Sequence, residues 1–262
     1  MEDYNTAFQY LDKGETAYRK AIAGKYSKDN LDILMKVSKI YAQHNYREKA
    51  EKLALEIYRF GKESDFANTL QDLYHTIHLA EVYFLLHNYE KAIQYSEEAI
   101  NFQPVESLNS TTDSVLFHYR KPNAIYINTQ AKYHTQPKDI DNIQTLLEQV
   151  ENAISILDQR KQIVVNHDDI SILIAENSKL FDLAKKLRLD AYQLTGDEKY
   201  LDDLISLHES AIYNRIRSRL KLRETVSNNK IPQKIIEREQ FLKNALAQSL
   251  DSGDKTLHHF FD

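Results

Sequence analysis

Cysteine is absent from this 262-residue chain, and so is tryptophan. Without thiols the chain forms no disulfide, offers no cysteine ligand to zinc and has no thiol nucleophile. Glycine is also scarce, and its five positions are too far apart to build a phosphate-binding loop or a dinucleotide-binding turn: Gly14, Gly24, Gly61, Gly196 and Gly253. These absences exclude several common classes of enzyme and cofactor site, and we expect neither a cofactor nor a bound metal.

Few turns and many helices are expected from the same composition. The chain has only 5 glycines and 4 prolines, well below average usage. The tight turns that connect strands depend on these residues, so their scarcity favours long helices and predicts an all-α fold.

Net charge and hydropathy limit the partners and the location of the protein. The formal net charge is −5 and the pI is about 6.1, which gives no overall attraction to nucleic acid or to an anionic membrane. No apolar run reaches the roughly 18–20 residues of a membrane span, and the first ten residues do not resemble a signal peptide. We therefore expect a soluble, cytoplasmic protein without a membrane or nucleic-acid partner.

Apolar residues recur at helical spacing along most of the chain. About ten helices are predicted, at residues 3–23, 29–44, 45–60, 65–87, 89–102, 122–134, 139–157, 168–195, 198–226 and 232–250. Asn45 is predicted to cap the third helix at its start, and Gly61 to end it in a left-handed conformation. Pro122 is predicted to lie in the first turn of its helix, where a missing N–H costs nothing. Residues 103–121 are predicted to form a connector, with at most a short helix at 113–119.

One phrase occurs twice in the first half of the chain. The run from His44 to Ala50 (HNYREKA) is echoed by the run from His87 to Ala92 (HNYEKA). Tyr41 lies nine positions before Ala50, and Tyr83 lies nine positions before Ala92, which gives a repeat offset of 42 residues. Around the second copy, small residues lie where two antiparallel helices would approach closely: Ala80, Ala92 and Ala99.

This order of small and large positions, closed by Pro104, resembles the tetratricopeptide repeat (TPR). The resemblance implies a right-handed solenoid of helix hairpins, here with helices longer than the usual repeat of about 34 residues. We divide the chain into regular TPR-like hairpins at 1–104, the connector at 105–121 and a region of longer TPR-like helices at 122–262. Together the three parts are expected to form one continuous solenoid.

From Pro122 onward the chain resembles the helical region that precedes the CHAT domain, a caspase-like module, in bacterial TPR–CHAT proteins. Three blocks carry the resemblance, at residues 139–159, 176–211 and 231–246. The catalytic His and Cys of that family lie in the CHAT domain downstream, so no catalytic residue carries over to this chain. The resemblance implies a scaffold that holds or regulates a protease, and we expect further chain to follow the apolar residues at the end of the sequence.

In TPR arrays the first helix of each hairpin lines the concave face. Aligning Tyr41 with Tyr83 places seven candidate partner-binding residues there: Met35, Lys39, Gln43, Tyr74, Ile77, Glu81 and Phe84. Met35 and His78 stand where TPRs that capture a C-terminal carboxylate have Lys and Asn. We therefore expect an internal peptide or a folded surface as the ligand; alternatively, neighbouring helices of the chain itself cover this face.

A basic stripe near the end of the chain is a second candidate site. Arg215, Arg219 and Arg223 share one face of the predicted helix at 198–226. The stripe is interpreted as a solvated or salt-bridged helix face, or as a docking site for an acidic partner or a downstream domain; contact with RNA is a weaker alternative.

Asp72, His75, His78 and Glu81 recur every three residues, so a metal site is geometrically conceivable, although structural histidines are the commoner reading. No convergent acid, base and nucleophile are recognisable. We expect a non-catalytic scaffold that binds a peptide or a protein, as part of a TPR–CHAT protease system. The alternative is a stand-alone adaptor or peptide-sensing regulator without an associated protease.

Overall fold

The computed structural model of the chain describes residues 4–23, 26–63, 69–102, 111–161 and 167–209, with Lys234, Glu237, Arg238, Phe241 and Leu242. Within these ranges only the backbone is described at 4–5, 28–29, 111–119, 158–161 and 167–176. Every secondary-structure element in this part of the chain is a helix. The all-α prediction is confirmed at that level.

Eight helices have defined bounds, and a ninth is described over residues 199–209, against the ten or so predicted. They are α1 (Tyr4–Ile22), α2 (Lys28–Gln43), α3 (Arg47–Glu63), α4 (Leu70–Leu85), α5 (Tyr89–Ile100), α6 (Thr111–Thr135), α7 (Ile140–Lys161) and α8 (His167–Thr195). No helix in the described ranges is both long enough and apolar enough to cross a membrane.

By their internal contacts the residues form two units, Met1–Val105 and Glu106–Asp262. In the first unit α1 packs on α2, α2 packs on α3 and α4, and α4 packs on α3 and α5. In the second unit α7 lies against α6 and α8, which also contact each other.

Alanines allow the helices of the first unit to approach closely. Ala80 and Ala92 are fully buried and Ala99 is nearly so, as their small size predicts. Around them lies a core of large side chains, all less than 2% exposed: Leu31, Leu34, Tyr41, Ile57, Leu73, Leu79, Tyr83 and Leu86. Burial of this apolar surface, at about 25 cal/mol per Å², is the main force that holds the hairpins together.

The turns that end α2 and α4 are built by the same hydrogen bonds. The backbone N–H of Tyr46 donates to Tyr41 O at 2.8 Å, and that of Asn88 donates to Tyr83 O at 2.9 Å. Asn45 (φ 62°) and His87 (φ 57°) take the left-handed conformation that this helix ending requires. The backbone therefore repeats at an offset of 42 residues, although the matching letters of the two phrases are shifted by one at the turn.

Three local predictions are wrong. Asn45 does not cap α3, because its backbone is used in the left-handed turn; Asn88 does cap α5, accepting a hydrogen bond from Lys91 N. Gly61 lies inside α3 and not after it. A Cβ on Gly61 would lie 2.6 Å from Nδ1 of His75, so this glycine permits the close contact of α3 with α4.

The third error concerns Pro122, which lies in the interior of α6 and not in its first turn. The predicted connector is therefore helical from Thr111 onward, continuous with α6. Proline has no N–H to donate, so α6 lacks one of its backbone hydrogen bonds at this position.

Candidate functional site

The predicted partner-binding residues fall on neighbouring parts of α2 and α4. Lys39 on α2 forms an ion pair with Glu81 on α4, and both side chains are partly exposed, at 36% and 27%. These two residues occupy the same position in the two repeats. The structure thus brings together two of the seven residues that the sequence predicted.

Met35 and Ile77, a second equivalent pair, are only 3% and 2% exposed. Both are packed within the unit, so neither offers its side chain to a ligand. Their placement in the binding face is corrected: this part of the predicted face is covered by the helices of the chain itself.

The remaining three predicted residues stay accessible to different degrees. Gln43 is exposed, whereas Tyr74 and Phe84 are half-buried. The ring of Phe84 lies against that of Tyr89, with 5.7 Å between centroids. We call Lys39, Gln43, Tyr74, Glu81 and Phe84 together the α2–α4 face; it combines two aromatic rings with one ion pair.

A buried polar contact joins α2 to α4. Nε2 of His78 lies 2.7 Å from Oγ of Ser38, and both residues are almost fully buried. The hydroxyl of Ser38 donates to Met35 O at 2.9 Å, so its oxygen accepts the proton that His78 carries on Nε2. Burial, helped by the charges of Lys39 and His75, holds the pKa of His78 well below its usual value and keeps the ring neutral.

The acids and histidines on α4, whose spacing made a metal site conceivable, contact other side chains of the described helices. Asp72 is bound by Lys62 Nζ at 2.9 Å, and Nε2 of His75 lies 3.1 Å from the amide nitrogen of Gln71. Both histidines are buried, because α4 packs on three other helices. Within the described residues no group of His, Asp and Glu side chains is arranged to hold a metal ion.

A tyrosine, a lysine and a carboxylate meet at equivalent places in both repeats. Tyr83 donates to Oε1 of Glu51 at 2.9 Å, and Lys91 Nζ lies 2.7 Å from the same oxygen and 4.6 Å from the ring centre. Burial, followed by the hydrogen bond to Glu51, raises the pKa of Tyr83 to about 12. Lys91, through its hydrogen bond to Glu51, lowers the pKa of that carboxyl group.

The first repeat has the same cluster. Tyr41 donates to Asp12 at 2.6 Å, and Lys49 pairs with the same carboxylate. Burial and the hydrogen bonds to Asp12 and Glu15 raise the pKa of Tyr41. Each cluster attaches a hairpin to the helix before it. Neither cluster was predicted from the sequence, although the Tyr and Lys that recur in the two phrases were the available signal.

A related cluster attaches α3 to α5. Lys62 Nζ lies 2.9 Å from Asp72 and 2.8 Å from Glu98, and Tyr58 donates to Glu98 at 3.0 Å. Burial and the neighbouring charge of Glu98 raise the pKa of Tyr58. These contacts stabilise the hairpins and leave the α2–α4 face as the candidate site.

The candidate basic stripe, Arg215, Arg219 and Arg223, lies outside the described residues and stays a prediction. The chain matches no protein-family model, no curated protein and no solved structure. Its function is therefore inferred from its own residues and their geometry.

Proposed function

We propose that this protein is a non-catalytic interaction scaffold, built as a right-handed TPR-like solenoid of helix hairpins, which binds a peptide or a protein on the α2–α4 face. One observation carries the proposal: the turns after Tyr41 and Tyr83 have the same hydrogen bonds, 42 residues apart. Structural repeats that stack on their neighbours give extended surfaces, and such surfaces serve recognition more often than catalysis.

The composition of the α2–α4 face supports binding of a protein partner. Aromatic side chains such as Tyr74 and Phe84 are enriched in protein interfaces, where they give a large contact area. Both are half-buried, so little conformational entropy is lost when a partner covers them. The Lys39–Glu81 pair presents both signs of charge to the same partner.

The side chains of the first unit whose pKa values are shifted support a non-catalytic role. Catalysis needs groups that converge on a space which substrate can enter. His78 is neutral and buried, whereas Tyr83 and Glu51 are engaged in a contact between helices. Their contacts hold neighbouring helices together, which favours a structural role for these side chains.

The resemblance to TPR–CHAT proteins makes the proposal more specific. In this reading the chain is the regulatory or scaffold portion of a bacterial, cytoplasmic TPR–CHAT protease system, and a CHAT-type domain, attached or separate, is its partner. The second candidate is a stand-alone adaptor or peptide-sensing regulator, which the accessible aromatic rings of the α2–α4 face would serve equally well.

An antibody raised against these 262 residues separates the two readings in the native host. An endogenous species well above 30.7 kDa supports the regulatory portion of a larger effector, whereas one near 30.7 kDa supports the stand-alone adaptor. Co-purification then tests binding itself. Tyr74→Ala combined with Phe84→Ala is expected to lose the co-purifying protein, whereas Gln94→Ala on the exposed side of α5 should retain it. Equal retention by all variants would refute binding on this face.

A further inference from the structure

His78 is a buried polar side chain in the contact between α2 and α4. It is 1% exposed and joined to α2 by a hydrogen bond from its Nε2–H to Ser38 Oγ. Because Nε2 carries the proton, Nδ1 carries a lone pair. Among the described residues nothing donates a hydrogen bond to this nitrogen.

The surroundings of His78 oppose a second proton. Lys39 on α2 and His75 on α4 are the titratable groups whose charge acts on the ring, and both are positive when charged. The nearby carboxylate of Glu81 is paired with Lys39, and within the described part of the chain no charged group of α3 or α5 contributes. A proton on Nδ1 would bring a buried charge and a donor without an acceptor, each of which costs free energy.

The offset of 42 shows that this contact is not a general feature of the repeat. The position in α2 that corresponds to His78 is Lys36, which is exposed. The buried histidine therefore belongs to the junction between the two repeats, which the Lys39–Glu81 pair of the α2–α4 face also joins.

We infer that His78 is a pH-sensitive latch: the neutral ring holds α4 to α2, and acidification of the protein favours the separation of these two helices. Protonation requires the ring to reach water, and this is possible only when the α2–α4 contact opens. Opening also breaks the Lys39–Glu81 pair, which joins the same two helices, and so rearranges the α2–α4 face. The effect on binding rests on the proposed function, whereas the opening itself does not.

Hydrogen exchange of the full chain, compared at pH 7.5 and pH 5.5 after correction for intrinsic rates, tests the latch. An exposed histidine titrates near pH 6.5, so one protonation linked to opening lowers the protection of α2 and α4 amides about tenfold between these values. His78→Gln keeps a side-chain N–H for Ser38 and does not titrate, and it should reduce the change to less than about twofold. His208→Gln, at an exposed site in the second unit, should behave as wild type.

An equal loss of protection in wild type and His78→Gln would overturn the inference, and so would a loss of the same size in α6–α8. NMR of the His78 ring in the wild type gives an answer even if the variant does not fold. The latch predicts that the ring stays neutral while α2 and α4 are protected. A ring that titrates near pH 6.5 in the closed protein would contradict it. Neither measurement uses a ligand, so failure of the latch and failure of the proposed binding are distinguishable.

Discussion

Lys39 on α2 and Glu81 on α4 form an ion pair between two equivalent positions of neighbouring repeats. The same offset of 42 residues relates Tyr41 to Tyr83, Met35 to Ile77 and Ala50 to Ala92. The pair therefore lies at the junction where one repeat meets the next, and both of its members belong to the face proposed to bind a partner.

Reversing one charge of this pair is expected to cost little stability. Lys39→Glu places two carboxylates side by side and should lower the free energy of unfolding by about 0.5–1 kcal/mol, since both side chains are partly exposed and screened by solvent. Lys39→Glu combined with Glu81→Lys should restore most of the loss in urea unfolding. A double variant no more stable than the single one would mean that the two side chains do not interact.

Gly61→Ala should destabilise the first unit by about 1–3 kcal/mol, because the new methyl group meets the buried ring of His75. Gly14→Ala is the matched control, since α1 has open space at that position and alanine favours a helix by about 0.5–1 kcal/mol. Chemical denaturation of both variants measures the difference. If Gly61→Ala were as stable as Gly14→Ala, α3 and α4 would not pack as described.

Ala92→Glu tests the close contact between α4 and α5. The site is fully buried, so a carboxylate there has neither water nor a partner, and we expect a loss of more than about 3 kcal/mol. Gln94→Glu introduces the same residue on the exposed side of the same helix and should leave the melting temperature nearly unchanged. Similar melting temperatures for the two variants would refute the repeat register.

Tyr83 should make the protein sensitive to alkali. Its raised folded pKa of about 12 means that the unfolded chain loses this proton first as pH rises. The contribution of Tyr83 is therefore complete below about pH 10 and is lost between about pH 10 and 12.

Urea unfolding at pH 9 and pH 11 measures this loss. Tyr83→Phe should reduce the fall in stability between the two pH values, whereas Tyr10→Phe, at a side chain that is 69% exposed, should not change it. The same fall in both variants would show that the hydroxyl of Tyr83 is not held by Glu51.

Apolar periodicity predicted the helices well, because each helix must bury one face whatever its partner is. The errors arose where the local backbone or a neighbouring helix decides the outcome. Gly61 matches a helix ending in sequence, but its lack of a side chain serves the contact with His75. Pro122 matches a helix start in sequence, but α6 already begins at Thr111, and apolar periodicity does not reveal this.

The candidate site could be predicted only in part for the same reason. The repeat offset gives Lys39 and Glu81 equivalent positions, and the structure joins them in an ion pair. The offset does not reveal which residues point between the helices. It places Met35 and Ile77 on the binding face, whereas the structure buries both side chains. The tyrosine–lysine–carboxylate clusters join residues that lie about 30–40 positions apart in the chain, and a single sequence does not reveal such contacts.

Site-specific photocrosslinking in the native host tests the central claim, binding of a protein partner on the α2–α4 face, most directly. A photoreactive amino acid at Gln43 reports on that face, and the same group at Gln94 reports on the exposed side of α5. We predict a discrete protein adduct from Gln43 that disappears with Tyr74→Ala and Phe84→Ala, and no such adduct from Gln94. No adduct at Gln43, or the same adducts from both positions, would contradict the account.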